Sequence, residues 1–169
     1  MRTSLLCNGP SRVVFQDRAE YNYIMGCNIP WANVNGTTIV DVGVVRNFAT
    51  LNYKECDLFL TLKCYHVLCG FKHNNVKIVD KLKCKIIDKQ KPFFSSGHMA
   101  ALELIKMGST TIDIYGCDSY FDDVIDSFTW RYVPSYANDK HKAKQLIEWR
   151  KNWASIKDEF NVEMNFIKA

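Results

Sequence analysis

Two small-residue turns constrain this chain more than anything else in it. Asn8-Gly9-Pro10-Ser11 follows the apolar run Leu5-Leu6-Cys7, and Ser95-Ser96-Gly97 precedes a stretch with helical spacing, His98 to Met107. The first reads as the tight turn at the end of a strand. The second reads as a loop feeding the first turn of a helix, where unpaired backbone N–H groups favour an anion. Two such turns at the carboxyl edge of one parallel sheet form a crevice of the kind that holds a nucleotide.

The rest of the pattern agrees with such a sheet. Short strands are predicted at Ser4 to Cys7, at Tyr21 to Asn28, over the β-branched run Thr37 to Val45, at Lys77 to Val79 and at Cys84 to Ile87. Asp57 to Val67 fits strand or helix, because short apolar runs do not separate the two. Met99, Leu102, Ile105 and Met107 have helical spacing, and Gly108 stops that helix as a C-terminal cap residue does. A strand at Thr110 to Tyr115 runs into Gly116-Cys117-Asp118. An irregular aromatic excursion follows over Asp122 to Asn138. An amphipathic helix from Asp139 to about Phe160 places Leu146, Ile147, Trp149, Trp153 and Ile156 on one face, and Val162 to Ile167 closes as a strand. Strands alternating with helices imply a single α/β domain over 1–169, Rossmann-like, with a mainly parallel sheet flanked by helices.

At 169 residues, 47% hydrophobic and 24% charged, the chain has the composition of one soluble globular domain. A net charge of +4, with cations dispersed among acids, tolerates phosphate-bearing ligands without marking a nucleic-acid binder. The basic stretch Lys77 to Lys91 reads as a solvated face. Seven cysteines in apolar surroundings, with no secretory signal and no C-x-x-C pair, read as reduced buried thiols in a cytoplasmic protein. No apolar run is long enough to span a bilayer.

Several residues have the chemistry of a nucleotide site. Gly9 permits close backbone approach, while Asn8 and Ser11 offer polar handles. Asn28, at the end of the second strand, can both donate to and accept from a base or sugar edge. Ser95 and Ser96 fit either an anion site or a plain helix cap. Asp118 fits a base, an acceptor for a sugar hydroxyl, or a cap. Tyr120 fits a phosphate contact or a packing role. Among the histidines, His66 and His73 read as structural and solvent-facing. His98 and His141 stand where either can reach a ligand and act as a base at neutral pH.

Taken together and in order, Asn8-Gly9-Pro10-Ser11, Cys27-Asn28, Ser95-Ser96-Gly97 and Gly116-Cys117-Asp118-Ser119-Tyr120 resemble the bacterial sialyltransferases that use CMP-sialic acid and act on lipooligosaccharide, and short phage-encoded proteins of the same lineage. The resemblance implies that Asn8, Gly9, Ser11, Asn28, Ser95, Ser96 and Gly97 contact the nucleotide and that Tyr120 approaches its phosphate. It also implies a nucleotide-sugar donor as substrate, no cofactor and no tightly held metal; the sequence contains no Asp-x-Asp pair. The family's catalytic His precedes the last helix, in the region occupied here by Asp139-Lys140-His141-Lys142, which leaves His141 and Asp118 as candidate bases. The acceptor implied is a glycan or a modified nucleobase. Two readings stay open at this point: a glycosyltransferase, or a module of the same fold that binds a nucleotide or a host protein without turnover. The aromatics Phe121, Phe128, Trp130 and Tyr132 fit either a lid over the site or a contact between identical subunits.

Overall fold

The computed structural model describes residues 1–16, 20–50, 56–68, 75–79, 94–123, 125–131 and 142–169. Within them seven strands form one sheet: β1 (Arg2–Leu6), β2 (Tyr23–Cys27), β3 (Gly36–Ile39), β4 (Asp57–Leu60), β5 (Val76–Ile78), β6 (Thr111–Tyr115) and β7 (Glu163–Ile167). Their order is β5-β4-β3-β2-β1-β6-β7, and every neighbouring pair is parallel. The chain builds outward from β1 to β5, then returns to lay β6 against the other edge of β1. That reversal between β1 and β6 is the switch point at which open α/β sheets leave a crevice.

The inner strands of such a sheet are covered on both faces, and past their first residue β1 to β4 are apolar or small and buried, whereas the edge strands β5 and β7 carry Lys77, Glu163 and Asn165. Leu5 sits beside Met25 on one side and Ile114 on the other, all of them buried. With Phe59 and Ile112 they form the face covered by α3 (Ser96–Lys106) and α4 (Lys142–Phe160), through Leu102, Leu104, Trp153 and Ile156. On the opposite face Ile39, Leu58 and Leu60 meet Val44, Val45 and Phe48 of α1 (Val42–Thr50) and Cys64 and Leu68 of α2 (Leu62–Leu68). Beneath β1, β2 and β6 that same face is closed by side chains from loops, with Phe15, Tyr21 and Trp31 packed on Leu6, Ile24 and Tyr115.

The structure divides two runs that looked continuous. The β-branched run Thr37 to Val45 is a strand only to Ile39. Asp41 then caps α1, its Oδ1 accepting from Gly43 N at 2.8 Å and its carbonyl from Val45 N at 3.0 Å. Burial of Val44 and Val45 against the sheet outweighs their weak helix propensity. Asp57 to Val67 is both strand and helix: β4 ends at Leu60 and α2 begins at Leu62, with Tyr65 N bonded to Thr61 O at 2.9 Å. In α4, Ile147 is 55% exposed; Leu146, Trp153 and Ile156 form the buried stripe instead. Gly108 closes α3 as expected. Its φ of +95° lets its own N–H reach Ile105 O and lets Ser109 N reach Leu104 O, which satisfies two terminal carbonyls. The strand expected at Cys84 to Ile87 lies outside the described residues.

One polar cluster is built into the sheet. Asp113 of β6, 2% exposed, accepts from Arg2 Nη2 at 2.7 Å, Arg2 Nε at 3.0 Å, Tyr21 OH at 2.9 Å and Asn165 Nδ2 at 3.0 Å. Burial alone raises a carboxyl pKa, but the bonds from Asn165, Arg2 and Tyr21 outweigh it and hold Asp113 below its usual range. Its ionised form therefore stabilises the fold above about pH 4, and that contribution is lost as pH falls through the lowered value. We expect Asp113→Asn to cost about 2 kcal/mol at pH 7 in chemical denaturation, with the difference from wild type shrinking at pH 3.

Candidate functional site

The site is assembled where β1, β2, β3 and β6 end. The turn after β1 and the turn after β6 interlock: Cys7 N donates to Tyr115 O at 2.8 Å and Gly9 N to Gly116 O at 2.7 Å. A Cβ at Gly9 would lie 2.6 Å from Gly116 O and collide with the Asp118 carboxylate. A Cβ at Gly116, whose φ is +67°, would lie 2.6 Å from Cys7 O. The glycine in each turn thus serves the other turn. Pro10 opens a 3-10 turn (Pro10–Val14), which aims Ser11 N and Oγ at Asp118 Oδ2, at 3.0 and 2.9 Å.

Asn28 ties three elements together. It adopts the left-handed conformation (φ +58°) that Asn tolerates, and its N–H donates to Thr38 O at 2.9 Å. Its Oδ1 accepts from Ser96 Oγ at 2.7 Å, and its Nδ2 donates to Thr129 Oγ1 at 3.2 Å. Asn8 Nδ2 donates to Cys27 O at 2.6 Å, locking the first turn to the end of β2.

Ser95 is the N-cap of α3. Its Oγ accepts from His98 N, and the His98 ring returns the bond by accepting at Nδ1 from Ser95 N at 3.1 Å, a capping box with histidine in the place usually held by Glu or Gln. Since Nδ1 accepts there, the ring proton sits on Nε2 and is donated to Trp149 O at 3.0 Å. His98 is fully buried between Phe94 and Trp153, and burial lowers its pKa to about 3. The structure corrects the expectation that His98 reaches a ligand: it is a neutral strut between the start of α3 and the middle of α4. The first N–H groups of α3, at Ser96 and Gly97, have no carbonyl four residues earlier in the helix.

These turns enclose a cavity of about 560 Å³. Asn8, Gly9, Asn28, Ser95, Ser96, Gly97 and Asp118 all line it. Two candidates do not: Ser11 is buried behind Asp118, and Tyr120 turns outward to stack on Phe166 with ring centroids 3.7 Å apart. His141, Tyr132 and Tyr136 lie outside the described residues. The sequence reading missed Asp41, Thr129, Gln145 and Trp149 on the walls. Asp41 was findable, since it follows β3 as Asn8 follows β1; Gln145 and Trp149 carry no local signal. Of the aromatics, Trp130 lines the cavity, whereas Phe121 packs edge-on against Tyr120 and Phe128 lines a neighbouring recess. Arg150, also missed, clamps the loop after β6 onto α4 by donating to Ser119 O, Asp122 O and Asp123 Oδ1.

Cys7, Cys27 and Cys117 lie along the cavity wall, with Cys7 and Cys27 sulfurs 3.9 Å apart. Contact with Cys7 and burial both push the Cys117 thiol well up, so it stays protonated. The described cysteines are free and buried, as expected. Among the described residues no group of three or more His, Cys, Asp or Glu is arranged to hold a metal ion, and no helix is long and apolar enough to cross a membrane.

Fold and crevice together define a Rossmann-like α/β domain with its cavity at the switch point of a parallel sheet. No protein-family model matches the chain, and no curated protein matches its sequence. A solved structure matches its fold. The monofunctional alpha-2,3-sialyltransferase Cst-I from Campylobacter jejuni aligns with a TM-score of 0.63 and 15% identity, over 99% of this chain and 75% of that one. The fold is therefore sialyltransferase-like.

Two predictions come from this geometry. With a folded pKa near 3 against an ordinary 6.5, His98 must take up a proton on unfolding below about pH 6.5. Stability attributable to it is level above that pH and falls by about 1.4 kcal/mol per unit below it. Denaturation curves at pH 7.5 and 5 should show this slope in wild type and lack it in His98→Gln. Gly116→Ala, strained in backbone and blocked by Cys7 O, should lower Tm by several degrees, about 2 kcal/mol or more, in a thermal melt.

Proposed function

We propose that this protein is a glycosyltransferase that takes a CMP-activated sugar, of the sialic acid type, and passes the sugar to a hydroxyl of a glycan acceptor. The observation that carries this reading is the convergence of Asn8, Asn28 and the Ser96–Gly97 helix terminus on one cavity of about 560 Å³ in a sialyltransferase-like fold. Its volume is that of a small-molecule site. In this reading the first N–H groups of α3 face the donor phosphate, where the helix dipole favours negative charge. Asn8 and Asn28, already fixed by their bonds to Cys27 O, Ser96 and Thr129, present their remaining polar edges to the nucleoside.

The reaction requires the acceptor oxygen to attack the anomeric carbon as the bond from that carbon to the phosphate oxygen breaks. CMP leaves with the bonding electrons, and the acceptor proton passes to a base. The α3 terminus stabilises charge growing on the phosphate, a group fixed before reaction begins. Asp118, on the cavity wall and held by Ser11, and His141 are the candidates for the base. No resident metal or cofactor is assigned a role. A second reading, a module that binds the nucleotide without turnover, draws on the outward position of Tyr120 and on the engagement of Asp118 with Ser11.

Thermal melts with CMP, UMP, GMP and AMP test the donor site. CMP at about 100 times its Kd should add roughly 2.7 kcal/mol of stability, a rise of several degrees, and the other nucleotides much less. Asn8→Ala and Ser96→Ala should abolish most of the rise; silence toward every nucleotide would sink the reading. Release of CMP from a CMP-sugar then separates enzyme from binder, with Asp118→Asn expected to lower kcat by about a hundredfold or more if Asp118 is the base.

A further inference from the structure

The α4 side of the cavity carries groups that the nucleotide reading does not use. Gln145, Trp149 and Trp153 line it at intervals of four residues, so they share one face of the helix. Trp153 is buried beside the first turn of α3, its ring 4.4 Å from that of His98 between centroids. Trp149 and Gln145 follow one and two turns nearer the start of α4, and both are half-buried. Neither the Trp149 indole N–H nor the Gln145 side-chain amide has a hydrogen-bond partner among the described residues. We propose that Gln145 and Trp149 bind a neutral hexopyranose, the terminal sugar of the acceptor, with the indole against the C–H face of the ring and the amide on its hydroxyls. The assignment of that sugar to an acceptor rests on the reading of the strand-end wall as the donor site.

Three observations support it. First, the pair has the chemistry of a sugar platform. One face of a hexopyranose is a patch of C–H groups that an indole can cover, and its rim is a ring of hydroxyls. An amide has two donors and an acceptor, so it can meet two neighbouring hydroxyls at once, and both side chains are uncharged, which suits a neutral ring. Residues four apart on a helix lie about 5–6 Å apart at Cβ, close enough for one ring to rest on the indole and touch the amide with its rim. Second, Trp149 is fixed before any ligand arrives. Its carbonyl accepts from His98 Nε2 at 3.0 Å, and the next residue, Arg150, donates to Ser119 O at 3.1 Å and to Asp122 O at 2.7 Å. A platform held in this way loses little freedom on binding. Third, the same bonds say what lies next to it. His98 belongs to the first turn of α3, which faces the donor phosphate in the reading above, and Ser119 directly follows Asp118, a candidate base. A sugar on Trp149 is therefore beside both the departing phosphate and the loop of Asp118, where an acceptor hydroxyl has to be held.

The experiment follows the indole N–H signals of the four tryptophans by NMR in the full chain, made with isotope-labelled tryptophan. The signal missing from Trp149→Phe is that of Trp149. Methyl β-galactopyranoside and methyl β-glucopyranoside are titrated with and without saturating CMP, and at least one of them should shift the Trp149 signal. Gln145→Ala should weaken that glycoside by about tenfold, read from the same signal. Because Gln145 is half-buried and Ala favours a helix, this is the decisive variant. The rise in Tm with CMP, read on both variants, reports whether fold and donor wall persist. A rise in Tm with CMP but no glycoside shift at Trp149, or a glycoside affinity untouched by Gln145→Ala, overturns this inference and leaves the donor reading standing. A shift of the Trp149 signal by CMP alone that neither glycoside adds to puts the nucleotide on this wall and overturns the inference as well. Glycoside binding that is lost in Gln145→Ala while CMP has no effect anywhere supports the sugar platform and overturns the donor reading instead.

Discussion

The contact on which the rest of this architecture depends is the backbone bond from Gly9 N to Gly116 O. It joins the turn leaving β1 to the turn leaving β6, strands that are neighbours in the sheet but far apart in the chain. Neither turn can carry a side chain at that point, because each would drive a Cβ into the other's carbonyl. Once the two backbones touch, Ser11 is brought onto Asp118, and the Asp118 carboxylate becomes part of the cavity wall. A hydrogen bond of this kind contributes about 1 kcal/mol, so its importance is geometric: it sets the width of the crevice.

The other wall is set by a helix terminus. The Ser95–His98 capping box orients the first turn of α3, and the bond from His98 to Trp149 O ties that turn to α4. Asn28 spans the gap, holding Ser96 on one side and Thr129 on the other. Positions that look like independent turn residues in the sequence thus belong to one network, with β1, β2, α3 and the aromatic excursion all joined through side-chain bonds.

Much of this was legible in the sequence, for physical reasons. Turns with Gly, Pro, Asn and Ser at strand ends are local signals, and so is Gly108 at the end of α3; the parallel sheet and seven of the cavity residues were read from them. The division of Thr37 to Val45 into strand and helix was not legible by propensity, since the valines favour β structure and only burial against the sheet makes them helical. His98 misled for a related reason: a histidine in a first helical turn looks available to a ligand until its burial and its two ring bonds are seen. Gln145, Trp149 and Arg150 reach the site from a helix distant in sequence, and nothing within α4 marks them.

The strand order also has a consequence for the cost of assembly. The first contacts of β1 with β2 close about 20 residues of chain, as in Arg2 to Asn22, whereas those with β6 close 109, as in Met1 to Thr110. Loop-closure entropy makes closing the longer loop from the open chain cost about 1.5 kcal/mol more than closing the shorter one. The crevice does not exist until β6 docks on β1 and the two glycine turns meet. A ligand of this crevice therefore recognises only chains in which the longest-range pairing of the sheet, β1 with β6, has been made.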